Sequence, residues 1–319
     1  MHRQLSRRAV LGAVAATLGA CTRTPGTVPP LGAPTPPVPS ATVTAATGAV
    51  TVPGAPLRVA VLDTAELDSA MTLGLTPVAA CRAAADRALP GYWPDSRLGS
   101  VVGVGAVAAP DLARLRALRP ELILSSVLRD GDRLDALRAI APTVLSGTTG
   151  YPWKDNFQLH AKALGRQAQA DAVVAGYRAR LAQVSRALGG TGATAGRRVS
   201  LLRFVPGGRI RLYGRLNFLG TILADLQLGR PDAQNVDQFD VEVTPDQLGG
   251  ADGDLLLYAV HGDADAAGAN AVLGGPAWRE LAAVRAHRAF QVDDQLWFEG
   301  IGYTGAGLVL AQLQHLLGA

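Results

Sequence analysis

Residues 154–188 constrain this chain more than any other stretch. No proline falls between Trp153 and Pro206, and apolar side chains recur at Phe157, Ala161, Leu164, Ala168, Val173, Tyr177, Leu181, Val184 and Leu188. Steps of mostly three and four residues gather them on one face of an α-helix. Asp155 is placed to accept from the first free backbone N–H groups, and the run Gly189-Gly190-Thr191-Gly192 stops the helix because glycine leaves helical dihedrals readily. About 34 residues at roughly 1.5 Å each give a rod of about 50 Å, several times the usual three turns. Gly165 and Gly176 are its interior weak points, each costing about 1 kcal/mol against alanine. With comparable lengths of chain on either side, such a rod reads as a spacer between two bodies. A core helix of a single α/β domain is the plainer alternative.

The N-terminus carries the most specific signal. Ser6-Arg7-Arg8 opens an apolar run over residues 9–20 that ends in Leu18-Gly19-Ala20-Cys21. The run is short of the ~20 residues that a bilayer span needs. It fits an export signal with a twin-arginine head, although Val10 stands where such signals usually carry phenylalanine. Leu-Gly-Ala-Cys resembles the lipobox of bacterial lipoproteins, which implies that residues 1–20 are removed and Cys21 is diacylated. Two acyl chains suffice for stable anchoring. Residues 21–55 are rich in Pro, Thr, Ala and Gly, with Arg23 the only charge. They read as a disordered tether that holds a folded part off the membrane.

The chain holds 30 basic and 26 acidic residues; Arg3, Arg7 and Arg8 lie in the leader, which has no acid, so the remainder is nearly neutral. No basic stripe points to nucleic acid. Beyond Cys21 the only cysteine is Cys81, which reads as a small buried hydrophobe with no partner for an intramolecular disulfide.

Either side of the rod, β-branched runs alternate with helical stretches. Residues 57–62, 76–80, 100–104, 121–126 and 143–145 are predicted strands of a first α/β lobe spanning 56–152. The linking helix takes 153–190. Residues 198–205, 210–213, 254–260 and 289–292 are predicted strands of a second lobe, 191–319. Alternation at this spacing argues parallel-rich sheets with helices on their faces. Pro110-Asp111-Leu112 followed by 120–124 is echoed by Pro245-Asp246-Gln247-Leu248 followed by 254–257, which favours two lobes of similar build. A ligand is expected in the cleft between them.

Catalytic signatures are missing from this pattern. His160, His261, His287 and His315 show no metal-ligand spacing, and His160 falls on the apolar face of the rod. There is no Walker A sequence, Gly-x-Ser-x-Gly elbow or dinucleotide glycine fingerprint, and no evident carboxylate pair. The expectation is a binding protein and not an enzyme, with a secreted hydrolase assembled from dispersed residues as the distant alternative.

Five stretches, residues 58–63, 109–126, 153–157, 203–220 and 296–305, carry a resemblance to the substrate-binding lipoproteins of iron–siderophore ABC importers. In that class two lobes with parallel-rich sheets are joined by one long helix, the helical-backbone periplasmic-binding-protein fold. The segment Leu-Trp-Phe-Glu-Gly-Ile-Gly-Tyr-Thr-Gly at 296–305 is the most family-like. The resemblance implies an extracytoplasmic protein, lipid-anchored to the cell membrane and read here as a monomer. It would bind a ferric siderophore between its lobes and deliver it to a permease. Iron would arrive with the siderophore, so no cofactor and no direct metal ligand are implied. Corrinoid and haem binders share the architecture and stand as the alternative ligand class.

The same resemblance places Arg203 in the cleft, where a guanidinium suits the oxygens of a ferric siderophore. Tyr213, Tyr258, Trp297, Tyr303 and Trp153 are the candidate aromatic contacts, and Ser125 and Arg129 the candidate contacts of the first lobe. Arg209 and Arg211 read as solvated or at the rim. Permease docking in this class uses one acid per lobe. Asp246 matches in the second lobe; Ala113 occupies the first-lobe position, leaving Asp111 as the stand-in.

Overall fold

The computed structural model describes residues 39–318 other than 85 and 87, so the leader, Cys21 and most of the proposed tether lie outside the described residues. Within that span the tether reading needs correction. Strands β1 (Ala41–Ala45) and β2 (Gly48–Val52) form an antiparallel hairpin. Val43, Ala45, Val50 and Val52 are buried while their neighbours are exposed. A charge-free, β-branched alternation is enough to give one buried face. Ala46 N donates to Leu145 O at 3.0 Å, which ties the hairpin to the first lobe.

That lobe is built on β3 (Val59–Val61), β4 (Ala79–Arg82), β5 (Val102–Ala106), β6 (Ala109–Pro110), β7 (Leu122–Ser126) and β8 (Thr143–Ser146). The sheet order is β6-β5-β4-β3-β7-β8, parallel throughout except for the β5–β6 pair. β3, β7 and β8 are buried at every residue, as expected for strands covered on both faces.

The second sheet comprises β9 (Val199–Val205), β10 (Arg209–Tyr213), β11 (Asp240–Val243), β12 (Leu255–Val260) and β13 (Ala289–Gln291) in the order β11-β10-β9-β12-β13. β9, β12 and β13 run parallel, while β10 and β11 are antiparallel additions. Its two faces divide by parity. Leu202, Phe204, Ile210, Leu212 and Leu256 pack into one cluster with Trp278; Val199, Leu201, Tyr213, Leu255, Leu257 and Ala259 join the core that reaches the first lobe.

The connection is not the single rod that its periodicity predicts. Helix Trp153–Ala163 ends, and helix Gln167–Ala187 begins after a break at residues 164–166. Gly165 sits at φ +64, and a Cβ there would collide with the carbonyl oxygen of Gly54. The approach of a segment more than a hundred residues away therefore breaks the helix. Gly176, with open space around it, leaves the second helix intact.

Both helices are welded to the lobes by aromatic rings. Tyr303, at the start of the closing helix Tyr303–Leu316, lies 4.7 Å from Trp153, 4.7 Å from Phe157 and 5.2 Å from Tyr177, all edge-on. Trp153 also meets Phe218 at 5.3 Å. Edge-to-face pairs add about 0.5–1.5 kcal/mol each beyond area burial. A polar tie reinforces them: buried Asp68, in helix Thr64–Thr72, accepts from Thr304 N at 3.2 Å and Gly305 N at 3.0 Å. A first-lobe carboxylate thus satisfies the opening N–H groups of the closing helix.

Candidate functional site

The first-lobe wall forms where sheet growth reverses. β3 lies between β4 and β7, and the loops leaving such a switch point diverge and open a crevice at the strand carboxyl ends. Asp63, directly after β3, caps the next helix through Oδ1, which accepts from Thr64 N at 2.7 Å. Its Oδ2 accepts from Arg129 Nε at 2.8 Å. Arg129 lies in the helical turn Val127–Asp130 that follows β7. Burial works against the charge on Arg129, but Asp63 outweighs it and raises the guanidinium pKa.

The second-lobe wall follows from strand parity and register. Arg203 on β9 is the direct cross-strand partner of Arg211 on β10 and of Ala259 on β12. Side chains alternate along a strand, so Arg203, Arg211 and Tyr213 share one face. Arg203 is only 7% exposed. Its Nε donates to Asp294 Oδ1 at 2.6 Å, and its Nη2 to Asp294 Oδ2 at 2.7 Å and Glu299 Oε1 at 2.6 Å. Desolvation pulls its pKa down, but the bonds to Asp294 and the charges around it raise it overall, so the group is permanently cationic.

His261 completes this cluster, its Nδ1 lying 2.8 Å from Arg203 Nη2 and 3.0 Å from Asp294 Oδ2. The two Nη2 hydrogens are taken by Asp294 and Glu299, so the network assigns the imidazole proton to Nδ1, donated to Asp294. Asp294 and Glu299 diverge in consequence. Burial acts on both, but the bonds from His261 and Arg203 bring Asp294 below the usual carboxylate range, whereas for Glu299 burial wins and its pKa is raised. His261, Asp294 and Glu299 are the one group among the described residues with metal-ligand proximity, their ligand atoms within 4.8 Å of one another. Arg203 already occupies the position between them, so a guanidinium takes the place of a metal ion.

These walls enclose a cavity of ≈ 540 Å³, an ordinary size for a small-molecule site. Arg129, Leu128, Ala83, Ala84, Val107, Ala108 and residues 148–150 line it from the first lobe. Arg203, Arg211, Tyr213, Phe239, His261, Phe298, Glu299 and Ile301 line it from beyond the linking helices.

Of the residues expected at a cleft, the structure places Arg203, Tyr213 and Arg129 in its lining. It places five others elsewhere. Tyr258 shares its face with Leu202, its register partner, and packs 6.2 Å from Phe204 and 5.0 Å from Trp278 on the far side of the sheet. Trp297 is fully buried and donates its indole N–H to Gln312 Oε1 at 2.7 Å. Tyr303 and Trp153 belong to the aromatic weld, with the Trp153 indole donating to Thr221 Oγ1 at 2.8 Å. Ser125 is buried behind the wall, its hydroxyl donating to Asp130.

Sequence reasoning missed Glu299, His261 and Phe239, ranked Phe298 below its neighbour Trp297, and left Arg211 solvated or at the rim. Parity was the usable signal for two of them: Arg211 pairs with Arg203, and His261 continues the odd-numbered face of β12. Glu299 and Phe298 fall within the motif already singled out. A π-helical turn at Gln295–Glu299 turns Trp297 inward and leaves them facing the cavity.

Residues 59–296 match the model of a family described as periplasmic binding protein. The probable siderophore-binding lipoprotein YfiY of Bacillus subtilis is 30% identical over 275 residues, covering 82% of this chain and 83% of its own. The achromobactin-binding periplasmic protein of Dickeya dadantii is 26% identical over 271 residues, 82% of this chain and 87% of its own. Among solved structures, SirA of Staphylococcus aureus complexed with staphyloferrin B superposes with a TM-score of 0.77 at 25% identity, over 87% of this chain and 98% of SirA.

Proposed function

Because this chain belongs to the periplasmic binding protein family, we propose that its cleft captures a ferric siderophore and hands it to the permease of an ABC importer. One observation supports this most directly. Arg129 from the first lobe and Arg203 and Arg211 from the second all line one cavity at the strand ends. Guanidinium groups offer planar sets of donors to the oxygens that surround chelated iron. Tyr213, Phe239 and Phe298 give the ligand's hydrocarbon a surface to rest on. The protein acts by binding and release, with iron as cargo and no bond made or broken by the chain.

The anchoring and docking parts of this reading rest on sequence. Cys21 carries the lipid, the twin-arginine leader exports the chain, and the protein works as a monomer at the outer face of the membrane. Asp246 and Asp111 are the docking acids. Both are exposed, and Asp111 also caps a helix by accepting from Arg114 N at 2.9 Å.

Titration of tryptophan fluorescence with ferric siderophores of the hydroxamate, catecholate and carboxylate classes tests the central claim. Saturable quenching at sub-micromolar concentration by one class is the expected result. Absence of quenching by all of them rejects it.

A further inference from the structure

We propose that the siderophore this cleft selects is one that presents carboxylates, not one built of catechols or of uncharged hydroxamates; the inference rests on the siderophore reading above. Its basis is the way the guanidinium groups of the cleft are held. Each is held from behind by an acid; Arg129 keeps both terminal nitrogens open, and Arg211 and Arg203 keep one each. Arg129 spends Nε on Asp63, and neither Nη has a hydrogen-bond partner among the described residues. Arg211 spends Nε and Nη2 on Glu242, both at 3.1 Å, and its Nη1 has no partner among the described residues. Among the described residues Arg203 Nη1 has only the Tyr213 hydroxyl, at the long distance of 3.5 Å. The open Nη pair of Arg129 matches the planar, two-oxygen geometry of a carboxylate, and the Nη1 groups of Arg211 and Arg203 offer fixed single donors to further oxygens.

The backing acids decide between directed donors and general charge. Asp63 stands behind Arg129, Asp294 behind Arg203, and Asp240 and Glu242 behind Arg211. The cations are locally neutralised, so the cleft does not work as a diffuse positive field that would favour any anion. It rewards ligands that place paired oxygens at the open nitrogens. Glu299 stands in the same lining with a single oxygen engaged, its Oε1 2.6 Å from Arg203 Nη2.

The aromatic content argues the same way. The rings lining the cavity are Tyr213, Phe239 and Phe298, all from beyond the linking helices, packed on each other at 5.5 and 4.7 Å. The opposite wall offers Ala83, Ala84, Val107, Ala108 and Leu128. Catechol rings would be held on one side only.

The test titrates the purified protein with ferric citrate, a ferric tris-catecholate (ferric enterobactin) and a ferric tris-hydroxamate (ferrioxamine B), reading tryptophan quenching. Ferric citrate is expected to bind at least tenfold more tightly than either of the others. Tighter binding of the catecholate or hydroxamate complex overturns the carboxylate assignment and leaves the siderophore reading standing; binding of none overturns both. Arg129→Lys and Arg211→Lys then separate fork from charge. Each is expected to lose tenfold or more for ferric citrate, and wild-type affinity in both would overturn the argument from donor geometry.

Discussion

Arg203 and Arg211 face each other directly across the antiparallel pair β9–β10, with both side chains on the cleft face. Like charges in that register repel and destabilise a sheet unless something answers them. Two separate sets of acids do: Asp294 and Glu299 hold Arg203, while Glu242 and Asp240 hold Arg211. The pair is therefore tolerated only because these acids answer it, and its position in the cavity lining gives the reason to keep it.

The two arginines should respond differently to truncation. Arg203→Ala leaves Asp294 and Glu299 half-buried without their cation, and breaking such a pair costs about 3 kcal/mol or more. Affinity should fall at least tenfold, about 1.4 kcal/mol. Arg211→Ala, at a more exposed position, should lose affinity with a stability change within about 0.5 kcal/mol. Urea unfolding beside ligand titration separates the two; equal unfolding midpoints for both variants would contradict it.

Glu299 Oε1 holds Arg203 Nη2, so a ligand carboxylate that bridges Nη1 and Nη2 must compete with it. Glu299→Gln removes the negative competitor and keeps a neutral acceptor. The expected result is affinity for ferric citrate higher by a factor of about five, close to 1 kcal/mol. A fall in affinity by calorimetry would mean that Glu299 itself contacts the ligand.

Strands and lobes were legible because parallel strands buried on both faces read as unbroken apolar runs, such as 121–126 and 254–260. The cleft was less so, and the errors have separate causes. The resemblance puts the segment of Tyr258 at the cleft, while the residue's parity with Leu202 turns it away. Trp297 and Phe298 are neighbours in one motif, and a π-helical turn, invisible to periodicity, decides which faces the cavity. Trp153 and Tyr303 stand at the junction of lobes and linker, where large rings serve packing. The break at Gly165 depends on the Gly54 carbonyl, a contact between distant segments that no local pattern reports.

Those two glycines of the linker predict opposite outcomes. Gly165→Ala forces a side chain into positive φ and against the Gly54 carbonyl, so it should destabilise by about 2 kcal/mol or more. Gly176→Ala lies in an exposed helical turn with open space at Cβ and should stabilise by about 0.5–1 kcal/mol. Thermal unfolding checks both, and a matching shift in the two variants would mean that residue 165 is not a strained break.

The last prediction concerns a buried pair between the first lobe and the linker. Glu66 and His160 are both fully buried, 3.7 Å apart, and neither side chain has a hydrogen-bond partner among the described residues. Burial, then the charge of Asp63, pushes the Glu66 carboxyl up from 4.5 to about 8. Burial lowers His160 from 6.5 to about 4. An acid with a raised folded pKa keeps a proton that the unfolded chain has released, so stability is lost as pH rises toward the folded value. A histidine with a lowered pKa does the reverse, and its effect is complete by about pH 6.5. Asp68, raised by burial to about 6, contributes mainly below that value. From pH 6.5 to 8, Glu66 is thus the dominant contributor among these groups, at 1.36 kcal/mol per unit for one proton, or about 2 kcal/mol across the window. Urea unfolding should show the wild-type protein losing about that much between pH 6.5 and 8, and Glu66→Gln losing little of it. Equal losses in both proteins would mean that Glu66 is already ionised at pH 6.5.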